Sequence, residues 1–319
     1  MVGVRDTYGR TFKTLRVSLT NTCNMGCVYC TFGTDEIKDN FALSQNKALT
    51  SNNLSELINQ LHQILHLETI RFTGGEPLLY KELPELVRLV KAGGISDIKL
   101  TTNGLLLDAV APRLKEAGLT SINVSLDAID PDVFFTMSKR NGISRVFSGI
   151  DAALDAGLEV KINSVIMRGL NESQITPLLT YAFEKKLVIR FLEIMAMGHL
   201  YGSTQNRFFS QEEILEAIAE HHNFKRLPRK GSSTANYWQT AEGHSFGIVA
   251  NETEPFCGDC NRLRLDSYGN IYGCLSSNNP ISILDLNEEQ LVNSLQDALE
   301  QKQAIKFTGS ELSMMHIGG

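Results

Sequence analysis

The chain has 319 residues, 42% hydrophobic and 21% charged, enough for one large domain or two ordinary ones with sizeable cores. Its net charge of -6 argues against a broadly basic face for nucleic acid or membrane, no apolar run reaches the roughly 18 residues of a membrane span, and the N-terminal MVGVRDTYGR lacks the apolar centre of a signal peptide. A cytoplasmic protein is expected, where six cysteines read as metal ligands rather than disulfides.

From residue 15 to about 195, short apolar runs alternate with segments of helical period. The runs are LRVSLT, TIRFTGGEP, IKLTTNG, SINVSLDA, VKINSVIM and VIRFLEIM. Between them lie helical stretches such as LSELINQLHQILHL and ISRVFSGIDAALDAGL. Asp130-Pro131 suits a helix start, and Gly118 and Gly157 suit helix ends. Strand, helix, strand, helix argues for parallel βα units. Six of them predict a partial (β/α)6 barrel, two units short of the closed eight-fold form.

The runs also alternate in polarity. Leu15, Val17, Ile70, Phe72, Ile98, Leu100, Ile122, Val124, Val160 and Ile162 fall on one face. Arg16, Ser18, Arg71, Thr73, Lys99, Thr101, Asn123, Ser125, Asp127, Lys161 and Asn163 fall on the other. Helices cover the outside of such a barrel, so the apolar set faces outward and the polar set inward. Closed βα barrels fill their centre with Val, Ile and Leu. Burying arginine and lysine instead is costly without partners. A wet cavity for a polar, anionic ligand is expected. An antiparallel sheet with one solvated face would alternate in the same way, but helices of this length favour parallel connections. VIRFLEIM breaks the alternation after Arg190, and its faces stay unassigned.

Beyond about residue 200 the pattern changes to one helix, SQEEILEAIAEHH, two hairpins turning at Glu242-Gly243 and Gly269-Asn270, and a second helix, NEEQLVNSLQDALEQKQ. The expected division is a barrel over 1–200 and, over 201–319, an α+β extension that closes the barrel opening.

The cysteines fall into two trios: Cys23, Cys27 and Cys30, then Cys257, Cys260 and Cys274. Three thiolates cannot complete a tetrahedral zinc site. On a [4Fe–4S] cluster, which usually takes four, three leave one iron open for a ligand.

The C-x3-C-x2-C spacing at the end of the first strand, with Tyr29 before its last cysteine, resembles the radical S-adenosylmethionine (SAM) superfamily. TGGEP at 73–77 resembles the glycine-rich motif of that superfamily. The second trio, C-x2-C-x13-C, and the terminal Gly-Gly resemble the GTP 3',8-cyclase family of molybdenum cofactor biosynthesis. That similarity runs over nearly the whole chain, through LRVSLTNTCN, IRFTGGEPL, LTTNGLLL, INVSLDAID, CNRLRL and GCL.

The resemblance implies a lyase with two [4Fe–4S] clusters. The first cluster would cleave SAM to a 5'-deoxyadenosyl radical that abstracts the 3' hydrogen of GTP. The second would hold the guanine. Tyr29, Gly74, Gly75, Glu76, Ser125 and Met195 would contact SAM. Arg16, Arg71, Thr101, Lys161, Arg190, Arg262 and Arg264 would contact GTP. Gly318 and Gly319 would reach into the site and act there with Arg262 and Arg264. The implied partners are an external electron donor, a downstream cyclic pyranopterin monophosphate synthase and a second copy of the chain. No nucleic acid or membrane partner is expected.

Two positions depart from the family pattern. Thr31-Phe32 replaces Met-Pro, and Thr69 replaces a lysine two residues before Arg71. These changes leave room for another nucleoside phosphate as substrate. The cysteine pattern also admits a peptide-modifying radical enzyme, or a zinc module completed by His244.

Overall fold

The computed structural model describes residues 4–31 and 48–318. Gly319 and Phe32 therefore lie outside the described residues. Strands β1 (Thr14–Ser18), β2 (Thr69–Thr73), β3 (Asp97–Thr102), β4 (Ser121–Ser125), β5 (Glu159–Ile166) and β6 (Val188–Glu193) pair in sequence order, all parallel. An antiparallel sheet is thereby set aside.

Helices Ser51–Leu65, Leu83–Ala92, Ala111–Ala117, Ile143–Asp155 and Ile175–Glu184 make the connections, with Pro131–Ser138 as an extra helix after β4. Local chemistry marks their ends. The Asp130 carboxylate accepts from the Asp132 and Val133 amides ahead of Pro131, and Gly118 ends its helix at φ 113°.

The C-terminal residues add to the same sheet on both sides. A hairpin, β8 (Asn236–Thr240) and β9 (Ser245–Val249), lays β9 parallel on β6, and β7 (Phe224–Arg226) extends β8. A second, β10 (Arg262–Asp266) and β11 (Asn270–Tyr272), lays β10 parallel on β1, and β12 (Ile281–Ser282) completes the edge. The parallel part thus has two strands more than the six predicted. A hairpin reads locally as antiparallel, whereas the pairings Leu15 with Leu263 and Ile189 with Phe246 join residues too distant in sequence to leave a periodic signal.

Contacts rather than ladder bonds join the two ends of the curved sheet. Arg262 Nη1 donates to Ser232 O at 2.7 Å, and Asp259 accepts from the Ser232 amide at 2.8 Å and pairs with Arg229 at 2.7 Å. Among the described residues no helix is long and apolar enough to cross a membrane.

Outward positions on β1 to β5 are buried beneath the helices; Leu15, Ile70, Phe72, Ile98, Leu100, Ile122, Val124 and Ile162 are all fully enclosed. Strand β6 keeps the alternation with its polarity exchanged beyond Arg190. Leu192 faces the centre, while Glu193 points outward and accepts from the Gln211, Glu252 and Thr253 amides at 2.9 to 3.1 Å. The buried carboxylate fastens the loops that follow β6 and β9.

Candidate active site

The strands enclose a cavity of about 660 Å3. Side chains of the predicted inward set line it, including Arg16, Arg71, Thr101, Ser125 and Lys161, together with all six cysteines. The cysteine trios sit at opposite ends. Cys23, Cys27 and Cys30 follow β1, at the C-terminal end of the parallel strands. Cys257 and Cys260 precede β10, which is parallel to β1, and Cys274 follows β11, which returns antiparallel to the same end. A five-residue strand at about 3.3 Å per residue separates the trios by roughly 16 Å.

Neighbouring elements hold the first trio. The Gly26 and Val28 amides donate to the Ser138 and Met137 carbonyls, each at 2.9 Å, and Arg140 Nε donates to Asn24 O at 2.6 Å. Gly74 and Gly75 explain why the next strand can pass so close. A Cβ on Gly74 would lie 2.7 Å from Thr20 O, and one on Gly75 would overlap Thr22 O. The pair thus lets its backbone lie directly against the cysteine loop.

Two buried carboxyls complete this end. Glu76 accepts from the Leu78 and Asn103 amides at 2.9 and 2.8 Å and from Thr102 Oγ1 at 2.6 Å. Burial pushes its carboxyl up to about 7 against the pull of those donors. Glu76 thus braces two loops. Asp127 accepts from Tyr29 at 2.9 Å and from the Val165 amide at 2.8 Å, and burial pushes it up to about 6. Met195 lines the same cavity from just beyond β6.

Cations stand between the trios. The strand register sets Arg264, Arg16, Arg71 and Lys99 abreast on four adjacent strands. Like charges so placed repel one another. Burial first, then Arg264 and Arg71, push the Arg16 guanidinium well below its ordinary value. Burial likewise brings Arg71 and Arg264 down to about 10. Arg190 donates through Nε to Asn163 at 2.9 Å, and Arg262 lies over the Phe256 ring at 5.3 Å. Each of these two keeps one buried nitrogen, Nη2, without a hydrogen-bond partner.

Lys99 and Lys161 also line the cavity, paired with Asp97 at 2.9 Å and Glu159 at 2.6 Å. Thr69, standing in the place of the missing cation, donates to Asp97 at 2.7 Å. The arrangement is a chamber of positive charge built to receive a polyanion.

The C-terminal tail enters the same space. Gly318 is buried, and its carbonyl and that of Ile317 accept from Arg264 Nη1. Its φ of 74° and the contact with Thr73 that a side chain would make leave room only for glycine. Gly318→Val is expected to lower turnover roughly 100-fold, as small misplacements of site groups do, while the melting temperature stays within a few degrees. A loss of turnover that merely tracks a loss of folded protein would contradict this.

Sequence reasoning left out several residues. Lys302, Tyr237, Asn251 and Phe256 all line the cavity, yet each lies in a segment whose local pattern gives no inward signal. Lys302 Nζ reaches Cys260 Sγ at 3.4 Å. Burial raises the Cys260 thiol, but Lys302 and Arg262 outweigh it and bring the group down to about 7. Cys23 and Cys257 are pushed up to about 11 by burial.

The donor set fits two iron–sulfur cubes. Six thiols line one chamber in two trios, and a [4Fe–4S] cluster, which usually takes four thiolates, would keep one iron free of cysteine at each trio. No three His, Cys, Asp or Glu of the described residues gather round a single ion. His244, the candidate zinc ligand, instead stacks on Phe183 at 4.5 Å.

Residues 17–182 match the Radical SAM superfamily, and residues 187–308 match Molybdenum Cofactor Synthesis C. The chain is 34% identical over 314 residues to a GTP 3',8-cyclase of Synechocystis sp., covering 98% of this chain and 94% of that one. It is 40% identical over 280 residues to a GTP 3',8-cyclase of Staphylococcus epidermidis, covering 85% and 81%. Among solved structures it resembles Streptococcus suis SuiB bound to S-adenosylmethionine, with a TM-score of 0.65 at 14% identity over 90% of this chain and 66% of SuiB. It also resembles native anSMEcpe with bound AdoMet, with a TM-score of 0.57 at 17% identity over 91% and 84%. At such identities the structural likeness speaks to the fold.

Proposed function

The chain belongs to the GTP 3',8-cyclase family of the radical SAM superfamily, and from that premise we propose that it converts GTP to (8S)-3',8-cyclo-7,8-dihydroguanosine 5'-triphosphate. The reaction is the first step of molybdenum cofactor biosynthesis. The observation that carries the reading is the row of Arg264, Arg16, Arg71 and Lys99 in a cavity with a cysteine trio at each end.

Cys23, Cys27 and Cys30 would hold an iron–sulfur cluster whose chemistry would be the reductive cleavage of SAM, and Cys257, Cys260 and Cys274 would hold a second one beside the nucleoside. The protein does the rest by position and charge. Arg16, Arg71, Arg190 and Lys161 take the triphosphate, whose oxygens match guanidinium forks. Thr101, beside Arg71 at 3.4 Å, adds a hydroxyl to the same group. Arg262 and the tail-bound Arg264 orient the nucleoside toward the second trio. Tyr29, Gly75, Ser125 and Met195 frame SAM at the other end, with Gly74 and Glu76 bracing the loop. Gly318, held by Arg264, closes the chamber and excludes water from the reacting sugar.

The electron comes from an external donor, and the product passes to cyclic pyranopterin monophosphate synthase. A cytoplasmic setting agrees with a cysteine set suited to metal ligation. The test is anaerobic incubation of the reconstituted protein with SAM and each of the four ribonucleoside triphosphates, followed by product mass analysis. GTP alone should give the cyclised nucleotide. Equal product from ATP would overturn the assignment to GTP.

A further inference from the structure

Lys302 follows the helix Glu288–Glu300 and is only 7% exposed. Its ammonium lies 2.7 Å from Arg262 O, 3.4 Å from Cys260 Sγ and 4.9 Å from the centre of the Phe12 ring. Among the described residues no carboxylate forms an ion pair with it. A buried ammonium without a carboxylate is costly, and the facing sulfur is the group left to balance it.

The other trio has opposite surroundings. Cys23 Sγ accepts from neutral donors, the Met25 amide at 3.4 Å and Asn103 Nδ2 at 3.8 Å. The buried carboxyls Glu76 and Asp127 belong to that same end of the chamber.

An electron added to an iron–sulfur cluster adds negative charge. A cation and an N–H···S bond therefore favour the reduced form, and hydrogen bonds to cluster sulfurs are a recognised lever on potential. We propose that Lys302 is a positioning residue of the second cysteine trio, holding the Cys260 sulfur by hydrogen bond and charge and raising the reduction potential of the cluster bound there. This rests on the two-cluster reading under Proposed function.

The experiment uses full-length protein carrying Cys23→Ser, so that only the second cluster is loaded, with Lys302 intact, Lys302→Met or Lys302→Arg. Iron and sulfide are counted anaerobically. The cluster is then titrated with a chemical reductant and followed by electron paramagnetic resonance. Lys302→Met should titrate at a lower potential than the parent, and Lys302→Arg should recover most of the difference. Loss of the cluster in Lys302→Met with retention in Lys302→Arg supports the proposal equally, because charge then holds the site. An unshifted potential in Lys302→Met, or equal cluster loss in both variants, overturns it. A parent without iron refutes the second cluster itself, and the proposal falls with that reading.

Discussion

Cys23→Ser is expected to abolish SAM cleavage. A serine hydroxyl is not ionised at neutral pH, whereas cluster irons are held by thiolates. The groups that hydrogen-bond to the Cys23 sulfur, the Met25 amide and Asn103 Nδ2, are donors and cannot take the place of a thiolate. The fold around it should survive. The loop is fastened by the Gly26, Val28 and Arg140 hydrogen bonds, which do not involve the Cys23 sulfur. Enzymes accelerate reactions about a million-fold or more, so the fall should exceed roughly 1,000-fold. Anaerobic assay for 5'-deoxyadenosine checks it, with circular dichroism to show that the barrel is intact. Cleavage within tenfold of the parent would contradict the role given to the trio.

Cys257→Ser is expected to separate the two reactions. Arg10 holds this loop by donating to the carbonyls of Cys257 and Gln303, and it pairs with the buried Asp6 at 2.6 Å. Backbone anchoring therefore persists when the sulfur is lost. The groups framing SAM lie roughly 16 Å away at the other end of the strands, so cleavage should stay within about tenfold of the parent. Cyclisation depends on the orientation of the nucleoside. Orientation can supply about 7–11 kcal/mol of a barrier, so product should fall by more than roughly 1,000-fold. Parallel assay of 5'-deoxyadenosine and of cyclised nucleotide gives both numbers. Full cyclisation in this variant would remove the second cluster from the mechanism.

The inner face of the barrel was legible because two periods coincide in the sequence. Helices demand apolar outward residues, and strands alternate every second residue, so Arg16, Arg71, Thr101 and Lys161 could be turned inward from spacing alone. Their row across four strands required the register, which apolar patterning does not specify between distant segments. The same limit hid β9 and β10, whose partners lie far away in sequence. Glu193 was obscure for another reason. An outward acid looks like a broken strand until the three amides it caps are known.

Lys302 carries no local mark at all; its meaning comes from Cys260, 42 residues earlier. The tail was legible only through family resemblance, since a terminal Gly-Gly by itself reads equally as a frayed end. The positive φ of Gly318 and the clash that a Cβ there would make with Thr73 supply the physical reason for glycine.

The central claim is that both cysteine trios of one chamber hold four-iron clusters, and counting metal tests it most directly. Iron and acid-labile sulfide, measured per chain on anaerobically reconstituted protein, should each come to about eight, four for each [4Fe–4S] cluster. They should fall to about four in Cys23→Ser and again to about four in Cys257→Ser. Parent protein holding about four of each, unchanged by Cys257→Ser, would contradict the account.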